Sequence, residues 1–323
     1  MAVRRARRER ITQYYRVIRA LLVVLVVLVA CSSGHSSGRS GSSLGNVIPI
    51  DQPASLQNPC WSPSGDQLAF TRFRDGYNDG DSDVVVARSD GTAPRPVTTA
   101  DANNVNLPGS CWDRSGHIAY STDGADGDEI WTASTTGPPV RLADPSDRSA
   151  WEPSFSPDGQ WVAFEGHNHD GTDGGTIWKV RRDGSGLTQL TRGADDREPN
   201  WSPRGDRIVF QSKRSGNWDI WTIGAAGGPP HPITTDPSED TDPSWSPDGR
   251  RIVYSSSAGR DLAGLFVITP GGAPVELHAV PDTAYAGAPS WSPDGRRIAF
   301  ETCTGDPDGS AGTHIAVVQA PAG

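Results

Sequence analysis

The sequence predicts an all-β chain folded as a six-bladed β-propeller, and three observations carry that expectation. First, a small residue and an aromatic ring lead six times into a turn signal and an apolar triplet. The copies are Cys60-Trp61-Ser62-Pro63-Ser64-Gly65, Cys111-Trp112-Asp113-Arg114-Ser115-Gly116, Ser154-Phe155-Ser156-Pro157-Asp158-Gly159, Asn200-Trp201-Ser202-Pro203-Arg204-Gly205, Ser244-Trp245-Ser246-Pro247-Asp248-Gly249 and Ser290-Trp291-Ser292-Pro293-Asp294-Gly295. Second, the aromatic anchors lie 51, 43, 46, 44 and 46 residues apart, the spacing of blades around a ring. Third, helical periodicity is absent while the chain holds 37 glycines and 27 prolines, as short strands joined by turns require.

Ahead of the repeats, residues 1–30 read as a signal peptide. Seven arginines fall within residues 1–19, and Ala20–Ala30 is uninterruptedly apolar. That run of about 11 residues is too short for a membrane span, which needs roughly 20, and it suits a signal-peptide core behind a basic flank. Leu28-Val29-Ala30-Cys31 resembles the bacterial lipobox, which implies lipidation at Cys31 and an extracytoplasmic protein anchored to the membrane, at the cell surface or in the periplasm. Residues 31–45 are rich in Ser and Gly and read as a flexible tether with a reach of about 20 Å. Residues 46–323 then accommodate six units of about 46 residues and no second domain.

Each unit resolves into four strands. In the fourth, Pro199–Ser202 is the inner strand, Arg207–Gln211 the second, Asp219–Ile223 the third and Pro232–Thr234 the outer one. The Ser-Pro-x-Gly turn follows from Pro presetting φ near −65° and Gly accepting the left-handed conformation. Arg114 stands where the other copies have Pro, which weakens the second turn. The last unit has strands at Trp291, Arg297–Thr302 and His314–Gln319 and is one strand short, so Val47–Ile50 is expected to complete the sixth blade and clasp the ring.

The repeats resemble those of the TolB-type propeller, whose unit reads roughly Pro-x-Trp-Ser-Pro-Asp-Gly, Ile-Ala-Phe, Asp-Ile-Tyr, Leu-Thr. The best copy is Pro199 to Ser202, Ile208-Val209-Phe210 and Asp219-Ile220-Trp221, with Leu190-Thr191 from the preceding unit. The resemblance covers nearly all of 46–323 and implies a partner-binding role in the cell envelope. TolB itself carries an N-terminal α/β domain not evident here, so its system-specific role is not implied. Similar propellers gate prolyl-oligopeptidase-like enzymes, but no hydrolase domain follows in this sequence.

Catalytic motifs are few. Gly34-His35-Ser36-Ser37-Gly38 has the nucleophile-elbow pattern, but that motif needs a strand-to-helix turn and here falls in the tether. His167-Asn168-His169-Asp170 reads as a solvated loop before it reads as a metal site. The carboxylates are more telling. Loops leading into inner strands and loops joining second to third strands emerge at one end of a propeller. In this chain those loops hold 28 Asp/Glu against 8 Lys/Arg, while the rest of the propeller holds 10 against 13. Such a face would attract cations and repel phosphate, which excludes nucleic acid and favours a basic protein or peptide partner.

Candidate residues follow. Asp79, Asp81 and Asp83, and Asp123, Asp126 and Asp128, have the spacing with which Gly-rich loops gather Ca²⁺; no other cofactor is expected. Trp151 and Trp218, with Tyr77 and Tyr285, fall in loops of the acidic end and could grip a ligand or pack across loop bases. Glu152, Glu198 and Asp242 each precede an inner-strand Pro and could converge on the axis, or could simply build the repeat. Cys60, Cys111 and Cys303 leave pairing open: Cys60–Cys303, Cys60–Cys111 or buried thiols. The preferred reading is a monomeric, non-catalytic binding module. The alternative is a metal-dependent hydrolase of the six-bladed lactonase kind, with its metal in the channel.

Overall fold

Antiparallel sheets of four short strands surround a common axis in the computed structural model, which describes residues 46–48, 55–78, 81–98, 105–107, 111–124, 127–134, 137–143, 148–168, 174–304 and 312–321. Cys31, Asp79 and Asp126 lie outside these residues, as do the signal and tether segments. The architecture is the six-bladed propeller expected. In blade 4 the strands are Asp196–Trp201, Arg207–Ser212, Asp219–Gly224 and His231–Pro232, paired in that order from the axis outward.

The ring closes as anticipated. Asn46–Val47 pairs antiparallel with His314–Gln319 as the outer strand of blade 6, and the Ile48 N–H donates to Ile315 O at 2.8 Å. The strand is shorter than expected, residues 49–50 being outside the described set. Asn46 lies opposite Val317, whereas Ile48 reaches Ile315 nearer the start of the third strand. The chain therefore enters the ring from the end that carries the Ser-Pro-x-Gly turns. Across the seam, Ser55 and Thr313 hydroxyls meet at 2.7 Å, and the Leu56 N–H donates to Thr313 O at 2.9 Å.

The repeated phrase acts at the turn end. Serine hydroxyls at 62, 156, 202, 246 and 292 accept the backbone N–H five residues later, at 2.9–3.2 Å. Each turn also rests on its neighbour: a Cβ on Gly65, Gly205, Gly249 or Gly295 would stand 3.1–3.3 Å from the ring of Pro293, Pro157, Pro203 or Pro247 in the preceding blade. Those glycines have φ between 69° and 74°, so both conformation and space disfavour a side chain.

Blade 2 departs from the expected four strands. Among the described residues its sheet consists of His117–Asp123, Asp128–Ser134 and Val140–Ala143, and the inner segment, of which 108–110 lie outside the described set, pairs through the bridges of Asn106 with Ser121 and Trp112 with Ile118. Its turn has one residue fewer between the glycine and the next strand, and Asp113, standing where the other blades have serine, accepts the His117 N–H at 2.8 Å. Asp113 is 3 % exposed and also pairs with Arg182 of blade 3. Burial pushes its carboxyl up, but the His117 N–H and the Arg182 guanidinium outweigh that and hold it below the usual range.

Cys60 and Cys111 form a disulfide across blades 1 and 2, with Cα atoms 6.0 Å apart, and Cys303 is buried outside that bridge. Equivalent positions elsewhere carry polar bridges between blades: Ser154 Oγ accepts the Trp201 N–H at 3.2 Å and Asn200 Oδ1 accepts the Trp245 N–H at 3.4 Å. A covalent link thus stands where these two junctions use a hydrogen bond.

Two measurements check these assignments. Cys60→Ser or Cys111→Ser should lower stability by about 2–4 kcal/mol in denaturant titrations, as loss of a long-loop disulfide does, whereas Cys303→Ser should leave reductant sensitivity unchanged. Asp113→Ala should cost about 1–3 kcal/mol near neutral pH. Because the folded carboxyl is held low, that stabilisation is present above the unfolded value and fades as pH falls below about 4; a deficit that persists undiminished in acid would contradict the pairing.

Candidate functional site: carboxylates on the axis

The axial residues come from a β-bulge repeated in five blades. In blade 4, Arg197 pairs with Gln211 and Asn200 with Val209, so Glu198 and Pro199 together face Phe210. Blades 1, 3, 5 and 6 repeat this two-for-one register around Phe70, Phe164, Tyr254 and Phe300. These rings are at most 1 % exposed. The first bulge residue takes a left-handed conformation: φ is 52° at Asn58, 49° at Glu152, 54° at Glu198, 54° at Asp242 and 46° at Ala288. Such backbone costs about 1–3 kcal/mol per non-glycine residue and persists only where the surroundings enforce it. Bulges re-aim side chains, and here they turn the residue before each inner-strand proline toward the axis.

At Ala288 the N–H donates to Asp242 Oδ2 of the preceding blade at 3.3 Å, and in three other blades the contact comes from the residue that follows the preceding blade's apolar triplet. Glu301 Oε2 accepts the Asn58 N–H at 3.1 Å, Glu165 Oε2 accepts the Glu198 N–H at 3.3 Å, and Gln211 Oε1 accepts the Asp242 N–H at 2.8 Å. Thr71 Oγ1 plays the corresponding part toward the Leu107 N–H at 3.1 Å. Two sets of side chains therefore meet on the axis. Five of them are carboxylates: Glu152, Glu165, Glu198, Asp242 and Glu301.

Their environments differ. Glu301 is 2 % exposed and well satisfied, since the Tyr77 and Tyr285 hydroxyls both donate to Oε1 at 3.0 Å. Glu165 is 1 % exposed, pairs with His167 and has Arg197 Nε at 3.9 Å. Among the described residues Glu152 accepts one side-chain bond, from Asn106 Nδ2 at 2.6 Å, and Asn106 is held in turn by Asn58 at 2.7 Å. Burial, then the charges of Glu165, Asp242 and Glu301, push the Glu152 carboxyl well above its ordinary value. Burial followed by Asp242, through both charge and a hydrogen bond, does the same to Glu198. A hydrogen bond between two carboxyl groups requires a proton on one of them.

Glu152, Glu198 and Asp242 are thus brought together, while the other expected site residues have local roles. Trp218 is buried rather than offered to a ligand: Lys213 and Arg197 lie over its ring at 4.7 and 5.4 Å, which closes it off. Trp151 is half-buried within the inner strand Arg148–Phe155, its ring 4.6 Å from that of His167. Tyr77 serves Glu301. Asp83 is held by two guanidiniums, Arg72 at 2.6 Å and Arg74 at 3.1 Å. Asp123 and Asp128 face each other across their hairpin, and Asp81 accepts the Arg74 N–H through its carbonyl at 3.1 Å. Among the described residues, no three His, Cys, Asp or Glu side chains gather in a metal-binding group.

Glu165 and Glu301 were not singled out from the sequence, although a signal existed: each directly follows the apolar triplet, at the same phase. The left-handed backbone had none, because a residue before proline is ordinarily extended.

The class of protein is a six-bladed propeller with an acid-lined axis. Residues 196–316 match the TolB beta propeller domain family. A 61-residue segment is 44 % identical to an uncharacterized protein of Agrobacterium fabrum, covering 19 % of this chain and 20 % of that protein. Similar solved structures include a putative TolB from Agrobacterium tumefaciens, with TM-score 0.61 and 22 % identity over 84 % of this chain and 92 % of that one. A gluconolactonase from Xanthomonas campestris matches with TM-score 0.61 and 15 % identity over 84 % and 88 %. These likenesses show the fold.

One titration tests the geometry. With the folded carboxyl raised, ionising Glu198 costs stability, so that cost is absent at low pH and grows as pH rises through the folded value. Glu198→Gln should raise the melting temperature at pH 8 by a few degrees and flatten its pH dependence above pH 5. A lower melting temperature at pH 8 would mean the carboxylate is compensated.

Proposed function

We propose that the chain is a lipid-anchored, extracytoplasmic binding module whose acidic end receives a basic segment of a protein partner, with a cationic group entering the axis among Glu152, Glu198 and Asp242. The convergence of these three carboxyls, two of them with raised proton affinity through burial and mutual charge, carries the reading. Sites that hold protons tightly for want of positive charge also favour Lys, Arg or an α-amino group. The surrounding loops, with 28 acidic against 8 basic residues, would speed the encounter and weaken it with salt.

The point where the chain joins the ring supports the orientation. A tether from Cys31 would reach the propeller at its turn end through Asn46, leaving the acidic end directed away from an anionic membrane surface. The partner would then be approached from the far side. The same carboxylates suit a lactonase-like hydrolase only if they hold a metal.

Peptide titration of the purified full chain checks the proposal. A Lys/Arg-rich peptide should bind, and its affinity should fall several-fold between about 50 and 300 mM salt. Combined Glu152→Gln, Glu198→Gln and Asp242→Asn should lower that affinity at least tenfold. Equal affinity for an acidic peptide, or no effect of the triple substitution, would sink the reading. A stoichiometric metal lost in the triple variant would turn it toward the hydrolase.

A further inference from the structure

The junctions between blades 3 and 4 and between blades 4 and 5 are built alike but differ in charge. Each begins its inner strand with an aspartate of 0 % exposure, Asp196 and Asp240. The backbone N–H of each donates at 2.8 Å to the carbonyl just ahead of the preceding third strand or its start, Gly175 in one case and Trp218 in the other. The facing loops match too. Lys213 N–H donates to Asp195 O and Ser257 N–H to Glu239 O, both at 3.1 Å. Arg214 N–H meets Ser212 Oγ and Ala258 N–H meets Ser256 Oγ, both at 3.2 Å.

On this common frame Arg214 Nη2 donates to Asp196 Oδ1 at 2.6 Å. Ala258 occupies the corresponding place at the next junction, and among the described residues neither oxygen of Asp240 has a hydrogen-bond partner. A second carboxylate stands beside it: Asp219, 1 % exposed, opens the third strand of blade 4 where blade 3 has Thr176. Asp219 accepts the Thr234 hydroxyl at 3.2 Å and the Ser215 hydroxyl. The hydroxyls of Ser256 and Thr234 lie alongside Asp240 without making bonds of ordinary geometry, and exposed Asp236 stands close by. One junction balances one carboxylate with one guanidinium. The other buries two carboxylates that form no ion pair among the described residues.

We propose that the junction of blades 4 and 5 is a site for a hard cation, Ca²⁺ being the best match, held by Asp240 and Asp219 with the hydroxyls of Thr234 and Ser256. It would stand where the Arg214 guanidinium stands one blade earlier. Carboxylate and hydroxyl oxygens are the donors Ca²⁺ takes, and two carboxylates neutralise its charge. A proton is the competing occupant. Burial, only partly offset by the two hydroxyls, pushes Asp240 up to about 6, so cation binding strengthens above that pH and weakens below it.

Thermal melting of the purified full chain tests the site, in EDTA and in millimolar CaCl₂ or MgCl₂. At pH 7.5, Ca²⁺ should raise the wild-type melting temperature by several degrees, and by clearly less at pH 5. Asp240→Asn should abolish the rise. Ala258→Arg, which rebuilds the arrangement of Arg214 and Asp196, should also abolish it while melting as high without Ca²⁺ as wild type does with it. Glu198→Gln should keep the response. No wild-type shift with Ca²⁺, a shift that survives Asp240→Asn and Ala258→Arg, or one lost in Glu198→Gln would overturn the proposal; the last result would put the ion on the axis.

Discussion

A two-for-one bulge opposite a buried aromatic ring is the constraint on which the structure depends. The ring, Phe in four blades and Tyr254 in the fifth, fills the blade centre, and the strand passing over it must accommodate one extra residue. That residue takes a left-handed conformation, which is unfavourable for Asn, Asp, Glu or Ala alone. What compensates is a backbone N–H presented to the previous blade, where Glu301, Glu165 or Gln211 accepts it. Blade packing and axial chemistry are therefore one arrangement. Any residue at this position is delivered to the channel because the ring must be assembled blade on blade.

The same logic explains the irregular second blade. Its turn is one residue shorter, and Asp113 closes it by accepting the His117 N–H. The blade is linked on both sides, by the Cys60–Cys111 disulfide toward blade 1 and the Asp113–Arg182 ion pair toward blade 3. A sheet in a ring does not have to be self-sufficient when its edges are held by its neighbours.

Much of this was legible in the chain. The phase of Trp61, Trp112, Phe155, Trp201, Trp245 and Trp291 marks every inner strand because the turn after each anchor needs the same few residues. The clasp was legible as well, since a last unit lacking an outer strand and an extra β segment before the first imply each other. Register inside the strands was not. Whether Glu198 lines an axis or faces solvent depends on a bulge, and the Pro after it points to extended backbone instead. Likewise Trp218 reads as a loop aromatic, yet burial beneath Lys213 and Arg197 depends on contacts between segments that spacing does not encode. The pairing of Cys60 with Cys111 was one of several options until the two inner strands were set side by side.

Two groups of acids now stand out, and solvent separates them. Glu152, Glu198 and Asp242 are half-buried on the axis, so the proposed partner would supply positive charge from outside and could leave again. Asp240 is wholly enclosed. An unpaired charge there loses its hydration without return, a penalty of several kcal/mol even after relaxation, and a macromolecule cannot reach it. Only a proton or a small ion can relieve it. Equal chemistry at two depths thus yields two consequences: exchangeable recognition at the axis, and stabilisation by a small, lasting occupant between the blades.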